Sequence, residues 1–137
     1  MDINIPVFRE GTWDSGIWEE ARNYPVYNFD GKTIIDLGAH IGGFTTKAAE
    51  SGAKMVYAYE AWRENFEVLK KNVEGYDNVK ANNLAVWKSR SPVKNVYFHD
   101  DFDLTNTGGG GVFEGSGLGL EVKTVGLDDV LTQSGPV

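Results

Sequence analysis

The sequence predicts an α/β protein whose core is a parallel sheet with crossover helices. Three observations carry this. Two apolar runs, TIIDL at Thr33–Leu37 and MVYAY at Met55–Tyr59, each bring an acid to the end of a strand, Asp36 within the first and Glu60 just after the second. A glycine turn, Gly38-Ala39-His40-Ile41-Gly42, follows the first run directly. Helically spaced apolar residues then alternate with the continuous runs, the pattern of βαβ units.

Residues 1–32 read as a lead-in: irregular over 1–12, then a short helix over 15–24 capped by Asp14, with Ile17, Trp18 and Ala21 on one side. Pro25 stops that helix, and 28–31 forms a turn. Thr33–Leu37 is apolar on both faces, as a central parallel strand is. A helix follows over 42–51, with Phe44 and Ala48 inward and Gly52 as its stop. The second strand covers 54–59. The next helix, over 64–74, places Phe66, Leu69 and Val73 on one face. A third strand is expected over 79–87. The style then changes: 93–99 alternates as an antiparallel strand does, 105–119 is a glycine-rich loop or lid, 120–125 is a further strand, and 127–131 begins a helix.

The chain has 137 residues, 41% hydrophobic and 24% charged, which suits one domain with a real core. It has no cysteine, so disulfides, thiolate catalysis and cysteine-bound zinc are excluded. No run approaches the roughly 20 apolar residues that span a bilayer, and the N-terminus lacks a basic-then-apolar leader. These features point to the cytoplasm and away from membranes. A net charge of −7 argues against a nucleic-acid partner, whose phosphates need a basic face, and suits a cationic ligand.

The glycine turn discriminates between ligands. A dinucleotide fingerprint needs G-x-G-x-x-G, and Ala39-His40 leaves no second glycine for the pyrophosphate. A triphosphate loop needs Lys-Ser/Thr after its last glycine, where this chain has Phe44-Thr45. What remains, D-x-G-x-x-x-G, permits a tight turn whose amides and Asp36 receive a zwitterionic amino-acid tail. Glu60 follows at the spacing where an acid takes ribose hydroxyls. The combination points to S-adenosylmethionine. His40 faces the site or solvent. His99-Asp100-Asp101 reads as a solvated loop, Trp13, Trp18, Trp62 and Trp87 as core or rim, and no metal-ligand spacing or general base stands out.

IIDLGAHIGGFT, AYEAWRENFEVLKKNV, NNLAV and VKTVGLDDVL together resemble the FkbM-type family of S-adenosylmethionine-dependent methyltransferases, over most of 33–131. The resemblance implies a class I, Rossmann-like methyltransferase fold, here its N-terminal half: parallel strands one to three with helices, plus an antiparallel strand pair. It implies methyl transfer to oxygen on a small molecule or sugar. Asp36, Gly38, Ala39, His40 and Gly42 would line the methionine part, Glu60 the ribose, and Ala61 with Leu84 and Ala85 the adenine. The family has prolines after the second-strand acid, where this chain has Ala61 and Arg63. It also continues after T-L-D-D-x-L into a strand reading K-I-D-I-E-G beside the first strand, so 33–137 is expected to be a partial domain: an N-terminal fragment, a truncated gene product, or a chain that pairs with a copy of itself to complete the sheet. Two other classes use the same βαβ unit: a non-catalytic nucleoside-binding or self-associating remnant, and an NAD-dependent oxidoreductase.

Overall fold

A computed structural model of the chain describes residues 5–25, 28–87, 96–99, 111–114 and 120–135, with backbone alone for 96–99, 111–114 and 120–121. Its elements run α1 (Asp14–Arg22), β1 (Thr33–Leu37), α2 (Gly43–Glu50), β2 (Met55–Tyr59), α3 (Arg63–Val73), β3 (Val79–Asn82), β4 (Ala85–Trp87), β5 (Val96–His99), β6 (Gly111–Glu114), β7 (Leu120–Glu121), β8 (Thr124–Gly126) and α4 (Leu127–Ser134).

The first sheet is parallel, in the order β1-β2-β3, with Ile34 opposite Val56 and Val56 opposite Val79. Those three share one face. Val56 meets α2 through Ala48 and Ala49, and Ala58 meets α3 through Leu69 and Val73. Both crossover helices therefore cover the same side of the sheet, and the βαβαβ unit is the Rossmann-like half that the sequence predicts. On the other side, Leu37 is 52% exposed.

The third strand departs from the sequence reading. In place of one strand over 79–87, the chain breaks at Asn83-Leu84. β3 stays beside β2, whereas β4 pairs in parallel with β8 in a second sheet. Asn83 explains the break. Its side-chain amide donates to the carbonyls of Glu60 (2.9 Å) and Ala61 (3.1 Å), taking the place that ladder bonds beyond β2 would fill. The antiparallel region is also larger than a pair, since β5 lies between β6 and β7 in a three-stranded sheet. Gly111–Glu114 forms β6 inside the segment read as loop, because pairing to β5 supplies the order that its composition does not. The rest of 105–119, and residues 93–95, lie outside the described residues. The strand expected over 120–125 is divided between β7 and β8, and α4 runs on to Ser134.

The lead-in is irregular over 5–12, as expected, yet it is tied down. The buried Asn72 of α3 accepts from Val7 N–H at 2.6 Å and donates to the carbonyls of Val7 and Ile41. Phe8 packs edge-on against Trp18 of α1, and a Cβ on Gly43 would lie 2.8 Å from the Trp18 carbonyl, so α1 sits directly on the start of α2. Among the described residues no helix is long and apolar enough to cross a membrane.

Candidate functional site

The carboxyl ends of β1 and β2 lie side by side, with Asp36 opposite Ala58 and Leu37 opposite Tyr59. The chain leaves β1 through Gly38 at φ 75°, a left-handed conformation that glycine adopts without Cβ strain. The amides of Gly38 and Ala39 both donate to the Tyr59 carbonyl, at 2.9 and 3.0 Å, which pins the turn to the end of β2. His40, also left-handed at φ 56°, donates its backbone N–H to Glu60 Oε2 at 3.2 Å. The turn and the second-strand acid thus meet directly, as the sequence spacing requires.

Glu60 is buried. Asn65 Nδ2 donates to its Oε1 at 3.1 Å, and the Trp62 backbone N–H donates as well. Burial nonetheless pushes the Glu60 carboxyl above the usual carboxylate range, against those three donors, and the Asp36 charge adds to the rise. Asp36 is half-buried and accepts from Thr45 Oγ1 at 2.6 Å; burial raises its carboxyl too, with Thr45 opposing. Two acids with raised proton affinity therefore flank one glycine turn.

The other expected site residues divide. A Cβ placed on Gly38 would meet nothing within 4 Å, so the backbone there is open to approach. Ala61, half-buried, follows Glu60 and is bridged by Asn83 to the Leu84-Ala85 step, which brings both expected adenine-flanking segments to the β2 end. Ala85 itself is buried, and its N–H goes to the Lys123 carbonyl. The Ala39 side chain lies in the core with Ala58, Leu69 and Val73. Gly42 at φ 101° is buried against Leu69 and Val73, so its role in this geometry is close packing. The turn amides expected to take an amino-acid tail are also largely committed: those of Gly38, Ala39, His40 and Gly42 all donate within the protein.

Two readings of the lead-in and turn need correction. Asp14 is not a helix cap. Trp13 holds that position without a side-chain bond, and Asp14, fully buried, accepts from Arg9 Nε at 2.8 Å, Nη2 at 3.1 Å and backbone N–H at 3.0 Å. The guanidinium outcompetes the helix N–H groups because an ionic, forked donor is the stronger partner. His40 is not a solvated turn residue: its side chain is 14% exposed and its Nε2 lies 3.9 Å from Asp14 Oδ1. Burial lowers its pKa to about 4, with Asp14 opposing and Arg9 reinforcing the fall, so the imidazole is neutral at pH 7.

Sequence reasoning missed the roles of Arg9, Thr45, Asn65 and Asn83. Asn65 and Thr45 stand inside the quoted motifs, at i+5 from Glu60 and i+9 from Asp36, and their short polar side chains in otherwise apolar helical faces are the available signal. Trp62 is buried, Trp18 and Trp87 are half-buried, and Trp13 is exposed. The side chains of His99-Asp100-Asp101 lie outside the described residues. Among those described, no group of three or more His, Asp or Glu residues is placed to hold a metal ion.

No family model and no curated protein matches the sequence. Solved structures with similar regions include a Listeria monocytogenes protein assigned as an S-adenosylmethionine-dependent methyltransferase, 28% identical over 53% of this chain and 33% of that one, TM-score 0.45. They also include a Pyrococcus horikoshii protein assigned as an RNA methyltransferase, 35% identical over 39% of this chain and 26% of that one, TM-score 0.37. TYW2 of P. horikoshii, in complex with MeSAdo, is 21% identical over 62% of this chain and 31% of that one, TM-score 0.40. The chain spans about a third or less of the length of each.

Proposed function

We propose that this chain binds S-adenosylmethionine as the cofactor half of a methyltransferase, of the FkbM type that its motifs resemble. The single observation that carries the reading is the joint placement of Asp36, the open Gly38 turn and Glu60 at the ends of two adjacent parallel strands. The residues present suit the group: Glu60 is an acceptor for ribose hydroxyls, Asp36 a counter-charge for an α-ammonium, and Gly38 leaves backbone that a ligand can approach closely. When bound, the sulfonium supplies an electrophilic methyl. The chain's own part is to hold the donor so that an acceptor approaches in line, and such positioning accounts for much of a transfer rate. The acceptor we propose is a hydroxyl of a small molecule or sugar.

Calorimetric titration with S-adenosylhomocysteine tests this. We expect saturable binding, weakened by about 1–3 kcal/mol in Glu60→Ala because ribose donors lose their partner. No heat at millimolar ligand overturns the reading, and saturable quenching by NADH in its place assigns the site to a dinucleotide. A second reading rests on β1, which among the described residues pairs only with β2. An unpaired apolar strand edge favours self-association, so the remnant reading predicts a copy of the chain completing the sheet. Sedimentation equilibrium decides: a monomer at high concentration removes it.

A further inference from the structure

Resting on the reading of Glu60 as the ribose acceptor, we infer that Arg9 is a positioning residue that sets, through Asn65, how that carboxylate faces its ligand. The lead-in is then part of the site and not an appendage.

A buried side-chain amide has one acceptor end and one donor end. In Asn65, which is buried, Oδ1 accepts from Arg9 Nη2 at 2.7 Å and Nδ2 donates to Glu60 Oε1 at 3.1 Å. Turning the amide over would set its NH2 against the guanidinium and its oxygen against the carboxylate. A guanidinium only donates, and it stays charged at every pH a protein tolerates. Arg9 therefore fixes Asn65 as a donor toward Glu60. Arg9 is in turn held on three atoms by Asp14 and lies 5.7 Å from the centre of the Trp62 ring, two residues beyond Glu60. The same Asp14 faces His40, whose backbone N–H reaches the other Glu60 oxygen. Both ends of the carboxylate are thus set by groups that touch the Arg9–Asp14 pair. Asp36 from β1 acts on Glu60 by its charge and the neutral His40 of the turn by its backbone N–H, whereas Arg9 and Asp14, from the lead-in and α1, reach it through Asn65 and His40.

The test is Arg9→Lys, which keeps the positive charge beside Asp14 but loses the fork that spans Asp14 and Asn65. The double variant Arg9→Met/Asp14→Asn is the second measurement, because it leaves no uncompensated buried charge. Carbon-13 NMR of the Glu60 carboxyl in ligand-free protein is expected to show titration moved upward by about one unit in both, since an unfixed Asn65 no longer stabilises the charged form. S-adenosylhomocysteine affinity is expected to fall about tenfold at neutral pH, with the acid limb of the binding profile displaced by the same amount. General loosening of the fold would instead lower affinity evenly across pH and, by admitting water, move the Glu60 titration down toward its ordinary range, which also overturns the role of Arg9. An unmoved Glu60 titration, with wild-type binding intact, overturns the role of Arg9 alone. A wild type that binds no S-adenosylhomocysteine overturns the ribose reading, and with it the ligand side of this inference, whatever the NMR shows.

Discussion

Three glycines at one turn separate backbone strain from crowding, and alanine at each gives a different expected cost. At Gly38 the chain is left-handed at φ 75° and a Cβ would meet nothing within 4 Å. Strain is the only penalty there, about 1–2 kcal/mol, and loss of unfolded-state freedom returns about 0.4–1 kcal/mol of it. At Gly42 the same strain, at φ 101°, adds to a contact of 2.9 Å with Leu69 Cδ1, a side chain with no exposed surface and nowhere to swing. Overpacking of that kind costs about 1–3 kcal/mol more, which makes Gly42→Ala the most damaging, near 3 kcal/mol. At Gly43 the φ is ordinary for a helix, but the new Cβ would lie 2.8 Å from the Trp18 carbonyl and 3.0 Å from Ala21 Cβ, so α1 must shift. The gain of alanine over glycine in a helix, about 1 kcal/mol, offsets part of that crowding and leaves a net of about 1–2 kcal/mol.

Urea denaturation followed by tryptophan fluorescence reads these costs. Ligand affinity should rank differently. Gly38→Ala puts its methyl on the open face proposed for the cofactor, so S-adenosylhomocysteine binding should fall by tenfold or more, a loss of about 1.4 kcal/mol or greater. Gly43→Ala, whose methyl points at α1, should bind nearly as wild type once folded. A Gly38→Ala protein that binds normally refutes the placement of the ligand over that turn. A Gly38→Ala protein as unstable as Gly42→Ala refutes the division into strain and crowding.

Acid should unfold the protein partly through His40. Its folded pKa of about 4 lies below the ordinary 6.5, so the unfolded state binds the extra proton first. The stability contributed by the neutral imidazole is complete above pH 6.5 and is lost as pH falls toward 4, about 3 kcal/mol in all. Asp36 and Glu60 act in the opposite sense, because raised carboxyls gain stability as pH falls through their folded values toward their ordinary ones. His40→Asn, which tolerates a left-handed φ, should therefore flatten the decline of Tm between pH 6.5 and 4; an unchanged decline removes His40 from it. Thr45→Val keeps the shape of a fully buried residue but deletes the donor to Asp36, with an expected cost of about 1 kcal/mol and a further rise in the Asp36 titration measurable by NMR.

Much of the first sheet was legible because its signals are local. The runs at β1 and β2 and the spacing of Leu69 and Val73 each lie within one element, and the two acids follow from where those elements end. What escaped depends on partners distant in sequence. The split of β3 from β4 turns on Asn83 finding the Glu60 and Ala61 carbonyls and on β8 arriving some forty residues later, neither of which periodicity encodes. Asp14 followed by a helical pattern has the form of a cap, and only burial beside Arg9 turns it into half of an ion pair. The site was misjudged for a related reason. A glycine turn suggests free amides, yet most of these already donate within the protein.

Glu60 is crowded in the same way where a ribose would bind. A carboxylate offers about four lone-pair sites, and here His40 N–H, Asn65 Nδ2 and Trp62 N–H occupy three. Two ribose hydroxyls need two sites, so one present donor must leave. Asn65 is held by Arg9, and Trp62 N–H belongs to the residue capping α3. The His40 bond, at 3.2 Å from a residue held at φ 56°, is the one most easily given up. Exchanging it for a hydroxyl keeps the carboxylate satisfied but strands the His40 N–H, at a cost of about 1–3 kcal/mol unless the turn moves to give that amide a new partner. The His40 amide resonance should therefore shift strongly with S-adenosylhomocysteine and little with its 2′-deoxy analogue, which asks for a single site. Equal shifts with both ligands would mean that the hydroxyls reach Glu60 without displacing the turn, and that this count of acceptor sites is wrong.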